Sequence, residues 1–174
     1  MEIQILNWLQ SLHTPILDKI MQLLTHLGDM GIIWIILTIV MLLIPKTRKS
    51  GVIMAAALIV DVILCNVILK NLIARVRPYD VNTAVQVLVV KPKDFSFPSG
   101  HAGSSFAAAV AVFCTMKGSR GRWAVLAFAF LMAFTRLYVG IHYPTDVICG
   151  ALTGALCGAS AAWIIRKFRK KIAK

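Results

Sequence analysis

The sequence predicts an all-α fold: a polytopic bundle of five to six membrane helices, with an interfacial helix at the N-terminus. Three observations carry this prediction. Apolar residues fill 59% of the 174 positions, well above the share of a soluble domain. Charged residues make up only 15%, and they fall in short clusters between apolar runs. Several of those runs approach or reach the roughly 17–25 residues a helix needs to cross a bilayer. Chain length gives one domain as the prior, so residues 1–174 are read as a single membrane-embedded unit.

The elements follow in order. Residues 1–14 are amphipathic and stop at Pro15. Ile3, Leu6, Trp8, Leu9 and Leu12 suit one face of an interfacial helix, with Trp8 at headgroup depth. Residues 16–27 predict a short, partly polar helix ending at Gly28. Residues 31–44 are almost wholly apolar, but such a helix rises only about 21 Å against a hydrocarbon core of roughly 30 Å. The two segments therefore form one long kinked helix or insert separately. Residues 51–73, 100–116, 123–140 and 145–165 predict spans. The stretch 78–98 is the longest non-helical segment, with Pro78, Pro92, Pro98 and the valine-rich run 85–90. It suits a short extended element or a surface loop. In the last helix Gly150, Gly154 and Gly158 recur every fourth residue. That face admits another helix backbone, within the bundle by preference or against a second copy in a homo-oligomer.

Charge sets the orientation. Nineteen Lys and Arg oppose seven Asp and Glu, for a formal charge of +12. Lys46, Arg48 and Lys49, then Lys117, Arg120 and Arg122, then the tail 166–174 fall on one side if the later segments each cross once. That side is cytoplasmic by the excess of basic residues, and the polar loops 74–99 and 136–144 face away from the cytoplasm. The chain is thus expected in the cell membrane, multi-pass, with a cytoplasmic C-terminus. No nucleic-acid partner is expected, because the basic groups have no soluble scaffold to present them. The N-terminus does not read as a signal peptide, since it lacks a basic leader and its apolar stretch is broken by Gln4, Asn7, Gln10 and His13. Cys65, Cys114, Cys149 and Cys157 lie in apolar runs without pair spacing and read as buried small hydrophobes.

Three polar stretches stand at the non-cytoplasmic ends of the spans. They are Lys70 with Arg77-Pro78, then Pro98-Ser99-Gly100-His101, then Thr135-Arg136 with His142 and Asp146. Arginine offers a planar fork matched to phosphate oxygens, and lysine a point charge. Ser99 caps a helix start, where free amides and the dipole favour an anion, and Gly100 lets that anion approach. Pro144 places His142 on a loop before a helix, with Asp146 in its first turn. A carboxylate on one imidazole nitrogen fixes the tautomer and frees the other as a nucleophile. This is a phosphoryl-transfer site in outline: cations hold the oxygens, one histidine attacks, and the other protonates the leaving oxygen. A metal is not expected, because two histidines and one carboxylate are few ligands and three cations repel it.

The three stretches, in this order and spacing, resemble the signature of the type 2 phosphatidic-acid phosphatase family, which shares its core with vanadium-dependent haloperoxidases. The resemblance covers residues 70–146 by motif, and small bacterial members are its nearest type. It implies His142 as a nucleophile forming a phosphohistidine, Asp146 orienting it, and His101 as general acid. It implies phosphate binding by Lys70, Arg77, Ser99, Gly100 and Arg136, with no cofactor. Thr135 stands where the family usually has serine, a mild departure. The implied activity is removal of phosphate from a membrane lipid. Candidate substrates are undecaprenyl diphosphate, phosphatidylglycerol phosphate and phosphatidic acid. A vanadate haloperoxidase would use the same pocket. A protein that binds or transports a phospholipid headgroup without cleaving it needs only the cations, so both histidines and Asp146 argue against it.

Other polar residues get plainer readings. His13 reads as a surface residue, and His26 and Asp29 as a solvated helix end. Asp61, mid-span, suits a structural network with a cation or Asn66. Arg75 could assist phosphate binding, though the motif does not require it.

Overall fold

The computed structural model describes the backbone of residues 1–172 and the side chains of residues 1–167, so most side chains of the tail expected at 166–174 lie outside the described residues. The order is α1 (Glu2–Gln10), α2 (Pro15–Leu27), α3 (Ile32–Leu43), α4 (Arg48–Asp61), a π-helical stretch (Val62–Leu69), α5 (Lys70–Ile73), α6 (Pro78–Val81), α7 (Gly100–Thr115), α8 (Gly121–Tyr138) and α9 (Pro144–Ile172). Among the described residues there is no strand. The valine-rich run is an irregular loop whose Val85 is buried.

Helix α7 is the axis of the bundle and packs most extensively on α9, then α8 and α4. Its sequence explains this: Ala102, Ala107, Ala108, Ala109 and Ala111 are fully buried and let neighbouring backbones close in. The glycines of α9 are the other half of that contact. A Cβ built on Gly150 would lie 2.4 Å from Ser99 O, on Gly154 2.0 Å from Gly103 O, and on Gly158 2.6 Å from Ala107 O. This face is therefore filled by α7 of the same chain. This is the packing within the bundle that the sequence favours for these glycines.

Helices α2 and α3 meet at a 47° bend, at a short 3-10 turn where Met30 and Gly31 both have positive φ. By length and composition, two helical stretches suit a bilayer crossing, 48–81 and 144–167, and the bent α2–α3 pair suits a third. Helix α7 is short for a span. Being enclosed on most sides, it carries alanine and serine where a lipid-facing helix would carry leucine. The outer surface is apolar: Ile36, Ile39, Ile59, Phe130, Leu152 and Leu156 all point outward. Such a belt suits membrane insertion.

Helix α1 is docked rather than merely amphipathic. Leu6 and Leu9 are buried in a second apolar cluster with Met21, Tyr79, Val85, Tyr138, Val139 and Ile141. Trp8 stays exposed. This cluster includes Val85, Val139 and Ile141 of the loops beside the polar residues.

Candidate active site

Each predicted residue is placed by a local feature of the chain. Lys70 follows directly on the π-helical stretch, and such bulges recur at functional sites. Ala74 at φ 47° ends that helix and turns the chain toward Arg77. The Arg77 guanidinium is buried and aimed by backbone: Nη1 donates to Ile141 O at 2.8 Å and Nε to Asp94 O at 2.8 Å.

Ser99 caps α7, its Oγ accepting from the Ala102 amide at 3.4 Å. Its own N–H donates to Asp146 O at 3.0 Å, which pins the start of α7 to the start of α9. Gly100 lies against Asn66, where a Cβ would sit 2.6 Å from Oδ1. First-turn amides of a helix have no intrahelical acceptor and favour an anion. Arg136, in the last turn of α8, is buried with Nη1 bonded to Thr25 Oγ1, while its Nε has no partner among the described residues. The Thr135 hydroxyl donates to Met132 O at 2.7 Å, back into its own helix, so serine or threonine serves equally there.

His142 is delivered by a tight turn. After α8, Gly140 takes φ +78°, and a Cβ on it would sit 2.3 Å from Gln86 O. His142 is then 2% exposed, with Nε2 3.5 Å from Arg77 Nη1 and Nδ1 3.7 Å from Asp146 Oδ2. The expected contact with Asp146 is thus adjacency, longer than a hydrogen bond. Asp146 Oδ2 accepts instead from Ser96 Oγ at 2.5 Å and the Tyr143 amide at 3.0 Å, and Oδ1 accepts from Arg75 at 2.6 Å. Burial pushes the His142 imidazole down to about 4, helped by Arg136 and Arg77 and opposed by Asp146.

Lys70, Arg77, Gly100, His101, Arg136 and His142 line one cavity of about 980 Å³, whose far wall is apolar, with Ile35, Leu58, Ile59, Val62 and Ile63. Ser99 and Asp146 stand behind that lining and support it. The cavity thus joins a cationic end to an apolar end, which is the shape of a phosphate with a tail.

Two acidic residues, Asp29 and Asp94, also line the cavity. Asp29 is not a free helix end: Oδ1 lies 3.2 Å from His101 Nε2 and Oδ2 lies 2.8 Å from His26 Nδ1. The Gly28–Gly31 spacing marks the turn that brings it there, but no sequence signal names His101 as its target. Asp94 bonds both Lys70 and Arg77. Arg75 faces away from the cavity, tied to Glu2 at 2.6 Å as well as to Asp146, so it anchors Asp146 and α1 instead of phosphate. Asp61 is fully buried and accepts from Cys65 Sγ at 3.2 Å, not from Asn66. His13 is not free on the surface either: Nε2 lies 3.1 Å from Tyr138 O.

The chain is similar to known proteins in sequence and in fold. The sequence model of the PAP2 superfamily matches residues 50–170. An undecaprenyl-diphosphatase of Sulfolobus acidocaldarius is 34% identical over 71% of this chain, although the match spans only 59% of that relative's length. A decaprenylphosphoryl-5-phosphoribose phosphatase of Mycobacterium tuberculosis is 34% identical over 78% of this chain and 73% of its own. Among solved structures, Aquifex aeolicus LpxE superposes with a TM-score of 0.81 at 25% identity, covering 92% of this chain and 93% of that one. A PAP2-type phosphatidylglycerolphosphate phosphatase from Bacillus subtilis superposes with a TM-score of 0.73 at 28% identity, over 97% and 84%.

Proposed function

The chain belongs to the PAP2 superfamily, and on that premise we propose that it is a membrane lipid phosphatase working through a phosphohistidine at His142. One observation carries the reading: two histidines and three cations meet in a single cavity whose other wall is apolar. Lys70, Arg77, Arg136 and the α7 amides at Gly100 and His101 hold the phosphoryl oxygens. Ser99 caps those amides.

The neutral His142 attacks phosphorus through Nε2, and the bond from phosphorus to the lipid oxygen breaks. His101 gives its proton to that oxygen. Asp146 lies beside Nδ1 and stabilises the cationic ring that results. A water molecule then attacks phosphorus, its proton passing to His101. The nitrogen–phosphorus bond breaks, its electron pair returns to Nε2, and orthophosphate leaves. The three cations supply the charge stabilisation that a metal gives in other phosphatases, so the reaction is written without one.

The substrate is a lipid monophosphate or diphosphate. The apolar wall at Ile35, Ile59 and Ile63 accepts the tail. The relatives' names point to polyprenyl diphosphates, other polyprenyl phosphates and phosphatidylglycerol phosphate. The site faces away from the cytoplasm in the plasma membrane, with the C-terminus inside, since twelve of nineteen basic residues fall on the opposite side.

The test is phosphate release in EDTA from a panel of undecaprenyl diphosphate, phosphatidylglycerol phosphate, phosphatidic acid and a water-soluble ester. Wild type and His142→Ala are compared. Release from a lipid that vanishes in the variant is expected. Equal release by both, or none from any lipid, contradicts the reading.

A further inference from the structure

Two of the cations assigned to phosphate already hold an anion. Asp94 Oδ2 lies 2.5 Å from Lys70 Nζ, and Oδ1 lies 2.6 Å from Arg77 Nη2. Two carboxylate oxygens shared between a lysine and an arginine fork reproduce the contacts those side chains make with two phosphoryl oxygens. The two sides of the contact differ in freedom. The Lys70 and Arg77 side chains are 11% and 3% exposed, whereas that of Asp94 is 51% exposed. Arg77 is also fixed by the Ile141 and Asp94 carbonyls. The carboxylate is therefore the partner with room to leave. Burial alone would raise its pKa, but Lys70 and Arg77 outweigh that and hold it at about 2, so it is charged throughout the neutral range. A phosphoryl group cannot take both cations while the carboxylate keeps them, because the two anions would meet at contact distance and repel.

We propose that Asp94 is a resident counter-anion that yields Lys70 and Arg77 to the substrate phosphoryl group and reclaims them at the end of turnover, promoting release of orthophosphate. This rests on the phosphatase reading above and adds a part to it. The exchange explains how two buried cations stay compensated between turnovers, since an uncompensated buried charge is costly. It also limits product inhibition, because the departing phosphate competes with a tethered anion.

The test is orthophosphate binding by titration calorimetry to the full chain in detergent, for wild type, Asp94→Asn, Asp94→Ser and Asp94→Glu. The isosteric and the small variant remove the competitor, and each should bind orthophosphate about tenfold or more tighter than wild type. Asp94→Glu keeps a carboxylate and should stay near wild type. Having two neutral variants guards against a folding defect in one. Unchanged or weaker binding in both would overturn the proposal, since Asp94 would then merely hold the cations in place. Failure of all forms to bind orthophosphate would overturn it too. Binding is read without turnover, so a wild type that releases no phosphate from lipid would count against the enzymatic reading alone.

Discussion

His142 Nδ1 and Asp146 Oδ2 stand 3.7 Å apart with both side chains buried, and the carboxylate's near partners are other groups: Ser96, Arg75 and the Tyr143 amide. Asp146 is thus held by three donors while the histidine rests against it. The carboxylate is pinned before the ring needs it, which fits a group that stabilises the imidazolium only once phosphorus is attached.

Ser96→Ala should therefore impair the reaction without touching the substrate. A hydrogen bond to a charged group is worth about 1.5–3 kcal/mol, and lost in the transition state this is roughly ten- to a hundredfold in rate. The expected result is a fall in kcat with little change in KM, measured by steady-state phosphate release.

The buried His142 sets an acid limb. Its pKa is lowered to about 4 against the ordinary 6.5. The ring stays neutral and nucleophilic down to that value and gains a proton as pH falls through it. The profile of kcat/KM should therefore lose activity on the acid side near 4, well below an ordinary histidine. An acid limb near 6.5 would place the nucleophile elsewhere.

Asp29→Asn should weaken proton donation by His101. A carboxylate 3.2 Å from Nε2 favours the charged ring, and an amide does not. Activity should fall about tenfold or more in steady-state phosphate release, while the acid limb set by His142 stays in place. Unchanged activity would make Asp29 a bystander.

Gly154→Ala tests the α7–α9 contact. Its Cβ would stand 2.0 Å from Gly103 O, so the helices must part. Overpacking of this kind costs typically 1–3 kcal/mol, which should appear as a lower melting temperature in detergent. Gly118→Ala, where nothing lies within 4 Å, should change little.

Much of the site was legible because its residues are unusual where they stand. Lys70, Arg77, His101, Arg136 and His142 are polar groups at the ends of apolar helices, and the cavity joins all five. Asp29, Asp94 and Ser96 were not legible, since each reaches its partner through the fold, across 72, 24 and 50 residues. Nothing local distinguishes them from ordinary turn residues. The docking of helix α1 was not legible either. An amphipathic stripe reads alike whether its apolar side meets lipid or protein, and here Leu6 and Leu9 meet protein. Arg75 shows the reverse error: a cation beside a motif, whose nearest anions turned out to be Glu2 and Asp146.

The most direct test is to trap the intermediate. The full chain is mixed with a lipid phosphate labelled with radioactive phosphorus, quenched in alkali within the first turnover, and separated by electrophoresis. The account predicts label on the wild-type chain that survives alkali, is lost in acid, and is absent from His142→Ala. Release of phosphate with no labelled protein at any quench time, or equal labelling of the variant, would contradict it.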